Sequence, residues 1–162
     1  MDGALWISPY CATMPRKHAR DPKTPRRQFA ALPCMSDDSG TRIMLVTSRG
    51  TGRWVLPKGW PKKRHSGAAI AALEAFEEAG VEGEVAPASI GFYRYPKRMA
   101  KGRVVECDVD VYPMRVARLL DDWPERTERE RRWFTLSEAA DAVKEADLTA
   151  LLLRLAGQDA AS

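Results

Sequence analysis

Residues 103–116, RVVECDVDVYPMRV, alternate with period two. In an extended chain Val105, Cys107, Val109 and Val111 fall on one face, and Glu106, Asp108 and Asp110 on the other. A helix would scatter both sets. The segment therefore predicts a half-buried strand, which needs a sheet beside it and a layer over its apolar face. The other strand candidates are RRQFAALPC, RIMLVTS, RWVLP (stopped by Pro57), SIGFYRYP and the end of DDWPERTERERRWF. Two segments read as helical. AAIAALEAFEEA, residues 68–79, is rich in alanine and runs into Gly80, where a C-cap glycine belongs. TLSEAADAVKEADLTALLLRLA opens with a capping box, Thr135 and Glu138, and reads as one final helix. Val143, Leu148, Leu151, Leu152 and Leu155 supply its core face. The order strands, helix, strands, helix predicts an α+β fold with helices packed on a mixed sheet.

The chain has 162 residues, enough for one domain with a sizeable core. No apolar run approaches the roughly 18 residues that span a bilayer, so no membrane partner is expected. The net charge of +4 sits at one end. Residues 1–33 hold Arg16, Lys17, Arg20, Lys23, Arg26 and Arg27 against Asp2 and Asp21, and the remainder is neutral. Residues 1–25 are expected to be a basic, flexible leader, 26–158 the domain and 159–162 a tail. Cys11, Cys34 and Cys107 are odd in number and widely spaced, with no CxxC. They read as free thiols in a reducing, cytoplasmic compartment.

Glu74, Glu77 and Glu78 pose the main question. At about 100° per residue they share an arc of roughly 100° on one helix face. Ala68, Ala69, Ala72, Ala75, Phe76 and Ala79 take the opposite arc, expected to pack on the sheet. No lysine or arginine lies between Arg64 and Arg94. Glu74 and Glu78 form a like-charged i,i+4 pair that costs roughly 0.2–0.5 kcal/mol. The negative end of the helix dipole adds a few tenths more. A divalent cation removes the conflict, because hard cations take carboxylate oxygens. The alternative is an acidic face satisfied by water or by basic residues from elsewhere in the chain.

The surrounding residues, GWPKKRHSGAAIAALEAFEEAGV, resemble the Nudix box, G-x(5)-E-x(7)-R-E-U-x-E-E-x-G-U, where U is a bulky aliphatic residue. Gly59, Glu74, Glu77, Glu78, Gly80 and Val81 fall on their positions with the spacing intact. Three positions depart: His65 replaces the first glutamate, Leu73 the arginine and Ala75 the aliphatic residue. WVLPKG, WPE, RRWF and the closing helix also look like Nudix material, so the resemblance covers roughly residues 26–156.

The resemblance implies an α/β/α sandwich and metal-assisted hydrolysis of a pyrophosphate bond, with magnesium as cofactor and manganese as a substitute. It implies that Glu74 and Glu78 are metal ligands and catalytic groups. Glu77 is a third ligand or the group that assists the water, and the main-chain carbonyl of Lys58 is a further ligand. In the family the first box glutamate and the arginine help to orient the catalytic carboxylates. Their absence leaves a catalytically weakened or inactive binding module as the competing reading.

Two basic clusters flank the glutamates: Lys58, Lys62, Lys63 and Arg64, then Arg94, Lys97, Arg98, Lys101 and Arg103. Such clusters suit polyphosphate anions. Lys58, Gly59, Lys62, Lys63, Arg64, Arg94, Lys97 and Arg98 are the substrate-binding candidates. LPKGW with EEAGV, and DDWPE with RRWF, look most like the diphosphoinositol polyphosphate and diadenosine polyphosphate hydrolase branch. The acidic ladder of Glu106, Asp108 and Asp110 reads as solvent-exposed and paired with basic neighbours, or as a source of one more metal ligand. Trp60 and Tyr93 are candidates to stack on a base, whereas Trp54 and Trp133 read as packing residues. The expected partner is a small polyphosphate anion bound by a monomer or homodimer. Nucleic acid is not expected, although an RNA end-processing role guided by the basic leader is the third reading. No Ser/His/Asp or Cys/His arrangement suggests a covalent nucleophile.

Overall fold

The computed structural model describes residues 24–161. The expected leader, with Cys11 and His18, lies outside the described residues apart from its last two positions. Among the described residues one eight-stranded sheet forms the middle layer. Its strands are β1 (Arg26–Asp37), β2 (Gly40–Thr47), β3 (Trp54–Val55), β4 (Lys58–Gly59), β5 (Val81–Val85), β6 (Gly91–Arg98), β7 (Val104–Leu119) and β8 (Arg131–Thr135). The spine of the sheet runs β3-β2-β1-β7-β5, with β4 on β1, β6 on β7 and β8 on β2. The β1–β7 pairing is parallel and the others are antiparallel, so the sheet is mixed. Every strand expected from the sequence is present. β5, with the sequence VEGEV, was not expected, because glycine and two glutamates give it little strand character.

Helices cover both faces, which completes the α/β/α sandwich. On one face Ala30, Leu32, Leu45, Val109 and Val111 pack with Leu148 and Leu152. On the other, Ala31, Met44, Tyr112 and Met114 pack with Ile70, Ala71, Ala75 and Ala79 of the glutamate helix. The period-two reading of β7 holds on its apolar side, where Cys107, Val109 and Val111 are all buried.

The final helix is two helices, α2 (Leu136–Ala142) and α3 (Ala146–Ala160). The capping box at Thr135 and Glu138 is formed. Along one straight helix, at about 100° per residue, the stripe of Leu136, Ala139, Ala140 and Val143 would sit roughly 120° away from that of Leu148, Leu151, Leu152 and Leu155. Breaking the helix after Ala142 lets both stripes reach the same core. α3 also runs to Ala160, past the expected domain end at residue 158.

The acidic side of β7 departs from expectation. Glu106 is exposed, but Asp108 and Asp110 are 3% and 6% exposed. Arg94, directly across on β6, grips Asp108 through Nε at 2.8 Å and Nη2 at 3.2 Å. Arg27 donates from Nε to Asp110 at 2.6 Å. The basic partners were foreseen; their long side chains also cover the carboxylates, and that removes Asp108 and Asp110 from solvent.

Candidate metal and phosphate site

The glutamate helix, α1 (Gly67–Glu74), starts at Ser66, whose Oγ accepts from the Ala69 N–H at 3.1 Å. It continues into a π turn, Ala75–Ala79, and stops at Gly80. Gly80 adopts φ 62°, the left-handed conformation that glycine takes without strain. The buried face is set on α1, before the wider turn, and the turn carries it on to Glu78 and Ala79. Ile70, Ala71, Glu74, Ala75, Glu78 and Ala79 are buried, whereas Ala69 is exposed and Ala68, Ala72 and Phe76 are half-buried. The expected alanine face is therefore rotated, and it carries Glu74 and Glu78 inward, each 8% exposed. Glu77 stays half-buried beside them.

Gly59, at the end of β4, makes this possible. A Cβ there would lie 2.0 Å from Glu74 Oε1 and 2.3 Å from its Cδ. The missing side chain is the space that the Glu74 carboxylate fills. Glu78 is held at both oxygens: Oε2 accepts from the Lys58 N–H at 3.2 Å and Oε1 from Arg129 Nη2 at 3.0 Å. Lys62 Nζ is 3.8 Å from Glu74 Oε1.

Burial and mutual repulsion perturb these groups. Burial raises the Glu74 pKa above the usual carboxylate range, with the Glu77 charge adding to it. Burial pushes Glu78 up to about 7 against the pull of Arg129 and Lys58. The Lys58 ammonium is brought down to about 8, also by burial. A dication beside two desolvated carboxylates would favour the charged form of each. Their oxygens suit magnesium, and each Glu78 oxygen keeps a lone pair beyond its present donor. Among the described residues no three His, Cys, Asp or Glu side chains are gathered to hold an ion as they stand. Glu74 and Glu78 are the candidate core of a donor set that Glu77 and the main chain would complete.

The cations that relieve this acidic helix end come from residues 120–131, which sequence reading did not connect to it. Arg131 Nη1 donates to the carbonyls of Ala79 at 2.9 Å and Gly80 at 3.1 Å, capping the negative end of the dipole. Trp123 Nε1 donates to the Glu78 carbonyl, and the Glu125 N–H to the Glu77 carbonyl. A signal was present: Arg129 and Arg131 are two apart in a segment entering a strand, so they share a side.

The structure separates the expected basic candidates. Lys58 and Lys62 lie beside the glutamates, and Lys97 lies near Lys58. Lys58 Nζ lies 5.3 Å from the Tyr95 ring centre and Lys97 Nζ 5.5 Å from that of Trp60. Arg26, not among the candidates, stacks on the same Trp60 ring at 4.4 Å. Lys63 and Arg64 are exposed on the loop before α1. Arg94 and Arg98 alternate with Lys97 along β6 and so project from its other face, where Arg94 is committed to Asp108. The second cluster is therefore not one surface. Tyr93, 1% exposed, has no face open to a base. Trp54 packs edge-on against Phe134, and Trp133 packs against the core on the glutamate-helix side, as expected of packing residues. The His65 ring donates locally, from Nδ1 to the Lys63 carbonyl at 2.8 Å.

Comparison with models of known protein families finds no match. The chain is 32% identical over 117 residues to Nudix hydrolase 12, mitochondrial, of Arabidopsis thaliana, covering 65% of this chain and 56% of that protein. It therefore spans little more than half the length of that plant relative. It is 32% identical over 124 residues to diphosphoinositol polyphosphate phosphohydrolase 3-beta of Bos taurus, covering 74% of this chain and 70% of that protein. Among solved structures a NUDIX hydrolase from Nitrosomonas europaea superposes with a TM-score of 0.63 at 16% identity, covering 84% of this chain and 91% of that one. That likeness carries the fold. Joined to the bovine match and to the box residues gathered around Gly59, it gives one conclusion: the chain belongs to the Nudix hydrolase superfamily.

Proposed function

We propose that the chain is a magnesium-dependent hydrolase that cleaves a pyrophosphate bond in a nucleoside-diphosphate-linked or polyphosphorylated substrate, of the diadenosine polyphosphate or diphosphoinositol polyphosphate type. The observation that carries this reading is the pair of buried carboxylates, Glu74 and Glu78, seated against Gly59 with lysines beside them. Glu74 and Glu78 would hold Mg2+ or Mn2+, with Glu77 and the Lys58 carbonyl as further oxygen donors. When bound, the ion neutralises phosphate oxygens and activates water for attack on phosphorus. Lys62 and Lys97 bind the remaining phosphate charge, and the Lys58 ammonium adds to it. Glu77, less buried than its neighbours, takes the proton from water.

A highly charged substrate is favoured over a base-recognising one. Trp60 carries Arg26 and Lys97 against its ring, and Tyr93 is enclosed, so neither is free to stack on a base. The bovine relative's name points to the same chemistry.

The test is a hydrolysis screen with magnesium or manganese across diadenosine polyphosphates, diphosphoinositol phosphates, nucleoside triphosphates and nucleotide sugars, with the phosphate products identified. Release of phosphate or a nucleotide from a polyphosphorylated substrate is the expected result. Metal binding with no turnover anywhere in the panel would replace this reading with a ligand-binding module.

A further inference from the structure

We infer that Arg129, braced by Glu125, is the positioning residue for Glu78, supplying from a distant segment the support that the box lacks at His65 and Leu73. The inference rests on the hydrolase reading above.

The Arg129 side chain is only 7% exposed and is spent in three directions. Nη2 donates to Glu78 Oε1 at 3.0 Å, Nη1 to the Thr47 carbonyl at 3.0 Å and Nε to Glu125 Oε2 at 2.5 Å. A planar guanidinium tied at all three nitrogens has no free rotation, so the position of Glu78 Oε1 is fixed relative to β2. The other oxygen, Oε2, is fixed by the Lys58 N–H at the start of β4. The plane of the Glu78 carboxylate is therefore set by two donors on two different elements.

The bracing segment is itself pinned. The Glu125 N–H donates to the Glu77 carbonyl at 3.1 Å, the Glu130 N–H to Thr47 Oγ1 at 2.9 Å, and the Arg129 N–H closes back on the Glu125 carbonyl at 3.1 Å. Arg49 reaches Glu125 at 3.7 Å from the far side. Neither His65 nor Leu73 contributes to this network: His65 is exposed before α1, with its ring on the Lys63 carbonyl and its N–H on that of Lys62. A buried ion pair is weak support for stability, since desolvation offsets most of its attraction. An arginine locked on three sides and aimed at a metal-ligand carboxylate is better explained by orientation.

The test compares full-length wild type with Arg129→Leu, Arg129→Lys and Glu125→Gln. Steady-state hydrolysis of the panel's preferred substrate gives kcat and KM separately, and Mn2+ binding by electron paramagnetic resonance gives a readout without turnover. For Arg129→Leu, kcat should fall about 10–100-fold, as for loss of a group that orients a metal ligand, with KM within about twofold. Its Mn2+ affinity should fall severalfold. Arg129→Lys should recover part of both losses, and Glu125→Gln should lose less in the same direction. If Arg129→Leu does not fold, the other two variants carry both measurements.

Wild-type kcat and Mn2+ affinity in the variants would overturn the inference. So would a KM rise that accounts for the whole loss, which would make Arg129 a substrate contact. Tighter Mn2+ binding by Arg129→Leu would overturn it too, because the arginine would then be a cation competing with the metal. If the wild type turns over nothing, the hydrolase reading fails and the Mn2+ measurement alone decides the positioning role.

Discussion

Gly59→Ala should separate the site from the fold. The added Cβ would meet Glu74 Oε1 at 2.0 Å, where ordinary contact begins at 3.4 Å, so that oxygen must retreat by about 1.4 Å (3.4 − 2.0). The obstructing atoms are the far end of a flexible side chain, and the backbone of Gly59 is not left-handed. The alanine also removes some freedom from the unfolded chain, worth roughly 0.4–1 kcal/mol in favour of folding. The net change in stability should stay within about 1 kcal/mol, or a few degrees in Tm. The catalytic cost should be far larger, because misplacing a reacting group by about 1 Å costs on the order of 10²-fold in rate. The assay is kcat under saturating magnesium beside a melting curve and a Mn2+ titration. A drop of about two orders of magnitude with a near-native melt is expected. Wild-type kcat in the folded variant would refute the reasoning, and so would a variant that fails to fold, since Gly59 would then serve the strand and not the carboxylate.

Gly80→Ala should behave in the opposite way, as a stability mutant. It forces alanine into φ 62° and sets a Cβ 2.5 Å from the Trp123 ring, so about 2–4 kcal/mol should be lost, read as a Tm fall on the order of 10 °C. Arg94→Ala should lower stability by about 1–2 kcal/mol, because buried Asp108 loses its two-pronged donor, and should leave KM unchanged. Lys97→Ala should do the reverse, raising KM severalfold with an unchanged melt. A magnesium-free pH series of melting curves should show a falling limb. With its pKa raised to about 7 on folding, Glu78 holds a proton that the unfolded chain has released. Its contribution is therefore fully present below the ordinary carboxylate range and is lost as pH rises through about 7. Magnesium binds the charged form, so the Tm gain on adding it should be small near about pH 5.5 and large near about pH 7.5. A gain independent of pH would place the ion elsewhere.

What could be read from the sequence follows from how local each constraint is. Gly80, Thr135 with Glu138, and the apolar side of β7 each depend on a few neighbouring residues, and all appear in the fold as expected. The glutamates could be read as a set because their spacing from Gly59 is fixed. Their burial was missed because the expected alanine face leaves out Ile70, and Ile70, Ala71 and Glu74 are buried together on α1 before the π turn begins. The break between α2 and α3 depends on where a shared core lies, which periodicity along one helix cannot report. The cation that meets Glu78 is not local in sequence: Arg129 stands 51 residues along the chain. The basic run of residues 94–103 is one cluster only along the sequence, because strand alternation sends Arg94 and Lys97 to different sides of β6.

In the proposed reaction Glu74 and Glu78 hold the metal that drives pyrophosphate cleavage. The most direct test is turnover of the preferred polyphosphate substrate by Glu78→Gln beside wild type, with and without magnesium. Glutamine keeps one oxygen for Arg129 or the Lys58 N–H and turns its amide NH2 towards the other donor, so a stability loss of about 1–3 kcal/mol is expected, read as a Tm fall of several degrees with the fold retained. The account predicts magnesium-dependent hydrolysis in the wild type and a loss of at least about 10²-fold in kcat for the variant. Near-wild-type turnover by a folded Glu78→Gln, or wild-type turnover that persists in a metal chelator, would contradict it.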